Sequence, residues 1–125
     1  MIKINGHKVK LLFDLGAMRI LKDDLGIDYL DVAFKLAEDV KEGRIKEEEI
    51  GRDYNLNISL IYASINRYEE ENGSDFRVTV DDLKRIPPQD YIALEMALNI
   101  EQSKNFPKKD EVKEKKKGKK QSRQS

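Results

Sequence analysis

The stretch MIKINGHKVKLLFDLGAMRILKDDLG, residues 1–26, decides the fold. Ile2 and Ile4 alternate with Lys3; beyond Asn5-Gly6, Val9, Leu11 and Phe13 alternate with Lys8, Lys10 and Leu12. Asn-Gly between alternating runs signals a hairpin, because a type I′ turn needs positive φ at both central residues. A two-residue loop sets Ile4 opposite His7 and Ile2 opposite Val9. Ile2, Ile4, His7, Val9, Leu11 and Phe13 then share one face. Lys3 meets Lys8 on the other, an unfavourable pair unless solvent screens it. A lone hairpin is marginal in water, so this apolar face demands helices to cover it.

Working outward, Asp14 suits the N-cap of a first helix carrying Leu15, Met18, Leu21 and Leu25 at helical spacing, and Gly26 suits its left-handed end. Asp28 restarts a helix with Tyr29, Ala33, Leu36 and Val40 on one stripe, ending near Gly43. Residues 44–55 are polar and interrupted by Gly51, which reads as a short helix or a turn. Asn57 is the expected cap of a third helix, with Ile58, Ile61, Ile65 and Tyr68 as its buried stripe and Asn72-Gly73 as its close. Thr79 and Asp82 form a capping box with a shortened acid, opening a short helix through Leu83 to Ile86. Pro87-Pro88 breaks it, and Pro88 can begin the next helix. There Tyr91, Leu94 and Leu98, with Ile92 and Met96, give a broad apolar face. The expected fold is therefore α+β and mostly helical: an N-terminal antiparallel hairpin packed on about five helices within residues 1–100.

At 125 residues the chain has room for one core and a tail. Charged residues make up 38% and mean hydropathy is −0.72, so the surface is heavily solvated. The absence of cysteine excludes a disulfide framework and any thiolate site. No apolar run is long enough to span a membrane, and no signal-peptide layout is visible, so a soluble intracellular protein, or one that never needed an export signal, is expected. The formal net charge of zero conceals a segregation. Residues 101–125 hold ten Lys/Arg against four Asp/Glu, a net of +6, and residues 1–100 hold 14 against 20, a net of −6. The segment 101–125 has almost no apolar residues and is expected to be a disordered, lysine-rich tail.

Residues that could carry chemistry do not converge. His7 is the only histidine, with no cysteine or acid pair beside it in sequence, and reads as a turn residue and not a ligand or base. Glu47-Glu48-Glu49 and Glu69-Glu70-Glu71 are consecutive, so on a helix they fan outward, whereas acid–base or metal work needs carboxylates that meet. Asp23-Asp24 and Asp81-Asp82 read as solvated or helix-start charges. Gly16 stands alone, without the glycine-rich loop of a phosphate site, and is better explained by helix packing. The expectation is no catalytic residue, no metal and no cofactor. Lys115, Lys116, Lys117, Lys119 and Lys120 could touch a polyanion through charge alone, and a small nucleic-acid-associated or regulatory module using this tail is the alternative reading. No aromatics interleave with these lysines, and the body is acidic, which argues against specific nucleic-acid recognition.

The opening stretch, Asn5-Gly6 hairpin into Phe13-Asp14-Leu15-Gly16-Ala17-Met18-Arg19-Ile20-Leu21 and a stop at Gly26, resembles the start of phage tail assembly chaperones. These are small proteins encoded just upstream of the tape measure protein in long-tailed phages and prophages. The later pattern is also similar: Ile61-Tyr62-Ala63-Ser64-Ile65 within a helix, then Thr79-Val80-Asp81-Asp82-Leu83 opening a short one. The resemblance covers roughly residues 1–100. It implies a non-enzymatic chaperone that coats and solubilises the tape measure protein, recruits tail tube protein, and self-associates along that partner. It further implies a place in the host bacterial cytoplasm and absence from the mature virion. No family interaction residue maps onto a distinctive motif here. The candidate partner surface therefore rests on the surplus apolar area of the last helix, at Tyr91, Ile92, Leu94, Met96 and Leu98.

Overall fold

A computed structural model of the chain describes residues 2–49 and 53–105. Strands β1 (Lys3–Ile4) and β2 (His7–Lys8) form an antiparallel hairpin. Five α-helices follow among the described residues: α1 (Leu15–Leu25), α2 (Tyr29–Lys41), α3 (Tyr54–Glu71), α4 (Val80–Lys84) and α5 (Pro88–Asn105). Among the described residues between α2 and α3 lies one 3-10 turn, Glu47–Glu49. This is the expected α+β arrangement.

The hairpin has the register the sequence implies. Lys3 pairs with Lys8 and Ile4 with His7. Asn5 (φ 51°) and Gly6 (φ 80°) both adopt the left-handed conformation that a type I′ turn requires. The ladder is shorter than the alternation suggests. Past Lys8 one further bond, Val9 N–H to the Ile2 carbonyl at 3.1 Å, holds the two arms together. Leu12 N–H then donates to the Ser64 carbonyl of α3 at 3.0 Å. The second arm thus leaves its hairpin partner and lies on the central helix, carrying Val9 and Phe13 into the core.

Helix α3 is that centre. It packs against α1, α4 and α5, and its buried residues (Ile58, Leu60, Ile61, Ala63 and Ile65 among them) point in several directions. A helix apolar on more than one face belongs inside a bundle. Around it Ile4, Phe13, Ala17, Leu21, Leu83, Leu94 and Leu98 complete one core.

The caps mostly follow expectation. Asp14 accepts from Ala17 N–H, Asp28 from Asp31 N–H, and Thr79 and Asp82 close a reciprocal capping box. Three expectations are corrected. Asn57 is not the cap of α3: Asp53 is, accepting from Leu56 N–H at 3.1 Å. The helix therefore begins at Tyr54, before Asn57, and Asn57 is buried in its first turn. Leu15 does not join the buried stripe of α1 but is 77% exposed at its first turn. Helix α5 does not stop at Ile100. It runs to Asn105, because Glu101 and Gln102 reach back to the body, accepting from Phe13 N–H (3.4 Å) and donating to the Tyr29 hydroxyl (3.1 Å) respectively. The lysine run 115–120 and the rest of residues 106–125 lie outside the described residues.

Candidate functional site

The five apolar residues singled out on α5 divide into two groups. Leu94 and Leu98 are core residues with 1% exposure, so they present nothing to a partner. Tyr91 is half-buried. Its ring packs on Tyr54 at 5.1 Å and its hydroxyl accepts from Asn57 Nδ2 at 3.2 Å. Burial raises its pKa, with Asn57 opposing the shift and Glu95 adding to it. Ile92 and Met96 face solvent, at 58% and 61% exposure, and Ile100 extends their line at 60%. Positions i, i+4 and i+8 form one ridge along a helix, spanning about 12 Å. This ridge, not the whole apolar face, is what α5 offers outward.

Beside it runs a trough between the outgoing arm of the hairpin and α5. It encloses ≈ 250 Å³, with Leu94, Val9, Leu11 and Ile100 among its apolar lining and Lys10 and Glu101 as its charged residues. A second hollow, ≈ 300 Å³, lies where α2 meets α3 and α5, lined by Val32, Leu36, Leu56, Leu60 and Gln102 among others. Helix α2 has no fully buried residue. Its Leu30 and Phe34 are exposed on one side while Val32 and Leu36 line this hollow on the other.

Acidic residues of two of the clusters find partners within the fold. Glu69 is buried, with its Oε1 2.7 Å from His7 Nε2, and the His7 ring stacks on Phe76 at 4.0 Å. Among the described residues that oxygen has no other hydrogen-bond donor, so the contact is a hydrogen bond only when Nε2 carries a proton. His7 is thus more than a turn residue: it covers a buried carboxylate. Glu70 accepts from Arg19 and Arg67, and Glu71 pairs with Arg67. Asp24 accepts the Tyr62 hydroxyl at 2.7 Å. Among the described residues no group of three or more His, Asp or Glu side chains could hold a metal ion.

Sequence reasoning missed the buried polar residues of α3. Asn66 donates to the Val78 carbonyl at 3.1 Å and accepts from Val78 N–H at 2.9 Å, as a neighbouring strand would. Asn57 donates to Tyr91. In sequence Asn57 reads as a cap and Asn66 as a surface position of a polar helix, and only their offset from Ile58 and Ile65 hints that they point inward. No protein-family model, curated protein or solved structure matches the chain. Among the described residues, no helix is long and apolar enough to cross a membrane.

Proposed function

We propose that this protein is a non-enzymatic chaperone of phage tail assembly, binding and solubilising the tape measure protein and recruiting tail tube subunits in the host cytoplasm. The observation that carries the reading is the exposed ridge Ile92, Met96 and Ile100. Three large apolar side chains in line on a folded helix suit reception of another amphipathic helix. The resemblance of the hairpin-and-helix opening supports the partner's identity, and the loosely covered helix α2 provides further apolar surface at Leu30 and Phe34.

Co-expression with the tape measure protein of the same genome tests it. The partner is expected in the soluble fraction and to co-purify when this chain is present, and in the pellet when it is absent. Equal insolubility in both cases sinks the reading.

A further inference from the structure

The chain contains two Asn-Gly steps, Asn5-Gly6 and Asn72-Gly73, and all four residues are exposed. Asparagine is a thermolabile residue, and a glycine after it presents a main-chain nitrogen with no side chain to shield it. That nitrogen can attack the asparagine Cγ. An N–Cγ bond forms, the Cγ–Nδ2 bond breaks, and the side-chain nitrogen leaves as ammonia with the proton of the attacking amide. Water then opens the succinimide at one of its two carbonyls, giving aspartate or isoaspartate.

The two steps sit in opposite settings. At Asn72-Gly73 the attacking nitrogen is occupied, with Gly73 N–H donating to the Glu70 carbonyl at 3.2 Å. The leaving amide is held too, Asn72 Nδ2 donating to the Tyr68 carbonyl at 2.8 Å. Asn72 N–H and Ser74 N–H close on the Tyr68 and Glu69 carbonyls at 3.1 and 2.9 Å, clamping the step to the end of an 18-residue helix. At Asn5-Gly6, Gly6 N–H meets no acceptor among the described residues. The Asn5 side chain bonds the Asp82 carboxylate, a contact that leaves the Gly6 nitrogen untouched. This step closes strands of only two residues each, and a two-stranded ladder is marginal by itself. Fraying at the tip frees Asn5 from its left-handed conformation and lets the nitrogen reach Cγ.

We propose that Asn5-Gly6 is a site of spontaneous deamidation, and that the fold protects Asn72-Gly73 from the same reaction. The consequence falls on the hairpin register. Isoaspartate routes the main chain through the side-chain methylene, lengthening a loop whose type I′ geometry admits two residues only. The Ile4–His7 pairing is then strained, and with it the inward setting of Ile4 and Val9. Aspartate keeps the main chain and tolerates the left-handed conformation, but it sets a carboxylate against Asp82. The reaction needs only water and no partner, so it stands apart from the chaperone reading.

The test incubates the full chain in warm, mildly alkaline buffer and follows amide-to-acid conversion at each step by peptide mapping and mass spectrometry. In the folded chain Asn5 is expected to convert about tenfold faster than Asn72, the difference between a frayed tip and a bonded helix end. In urea, which removes both settings, the two rates are expected to converge. No conversion at Asn5, or conversion at Asn72 as fast, overturns the proposal. So does a gap that persists unchanged in urea, which would assign it to neighbouring residues and not to the fold. Hydrogen exchange reads the consequence. The isoaspartate form, isolated by chromatography, is expected to exchange its His7 and Val9 amides about tenfold faster than Asn5→Asp, which has the same charge on an unaltered main chain. Equal exchange in the two overturns the register argument.

Discussion

Arg67 grips Asp14 across the α1–α3 contact, its Nε lying 3.0 and 3.1 Å from the two carboxylate oxygens. The side chain lies so close over Gly16 that a Cβ there would collide with the guanidinium. Burial pushes the Asp14 carboxyl up, but hydrogen bonds from Arg67 and Ala17 N–H, with the Arg67 charge, outweigh it and hold the pKa below 3.8. The same bond raises Arg67 above its ordinary value. One aspartate therefore caps α1 and anchors it to the central helix.

Gly16→Ala is expected to destabilise the fold by about 1–3 kcal/mol through this collision, although Ala is the better helix former by about 1 kcal/mol. In an Arg67→Ala background the obstacle is gone and the same substitution should be neutral or stabilising. Urea unfolding of the four proteins of the cycle measures the coupling. An equal cost in both backgrounds would remove Arg67 as the reason for the glycine.

The architecture was legible because its signals are local. Asn5-Gly6 sets the turn, Gly26 ends α1, and Thr79, Asp82 and Pro88 frame α4 and the start of α5. What was not legible depends on distant partners. Asn57 has the residue type of a cap, but Tyr91 and Glu95, 34 and 38 residues away, make it a buried donor. The end of α5 was hidden likewise: Glu101 and Gln102 look like tail residues until Phe13 and Tyr29 are placed beside them. The ridge was half legible. Composition showed surplus apolar residues on α5, but packing alone decides that Leu94 turns inward and Met96 outward.

Asn66 serves as the partner that Val78 would otherwise find in a sheet, satisfying both its N–H and its carbonyl in a buried setting. Asn66→Ala leaves two main-chain groups without partners, each costing about 1–3 kcal/mol. A loss of about 2–4 kcal/mol is expected in denaturant unfolding, with the connection before α4 exchanging its amides faster than α3. A loss under about 0.5 kcal/mol would show that the connection finds other partners.

Tyr62 gives the protein an alkaline limit. Burial raises its phenol, and the Asp24 carboxylate that accepts its hydroxyl raises it further, to about 12. A group whose folded pKa is raised contributes stability that is complete below its unfolded value and is lost as pH climbs through the folded one. The window here runs from 10 to about 12. Tyr62→Phe should flatten part of the decline between those limits; Tyr29 and Tyr91, also raised mainly by burial, act in the same direction. Urea midpoints at about pH 9 and about pH 11, on either side of the ordinary tyrosine value, test this. Identical slopes for the wild type and Tyr62→Phe would refute it.

Helix α5 is expected to separate stability from partner capture residue by residue. Leu94 and Leu98 are buried core residues, so Leu94→Ala or Leu98→Ala should cost about 2–5 kcal/mol through lost burial and an unfilled cavity. Ile92 and Met96 stand on the outside of the same helix. Replacing either by Ser should change stability by less than about 0.5 kcal/mol, since neither leaves a void nor strands a polar group. Thermal melts of the four single variants establish the first half. The second half is pull-down of the tape measure protein, which Met96→Ser should reduce while its melt stays with the wild type. If Met96→Ser unfolds the chain, the residue is core and the outward ridge does not exist in solution. If it melts normally and captures the partner fully, the ridge exists but receives nothing.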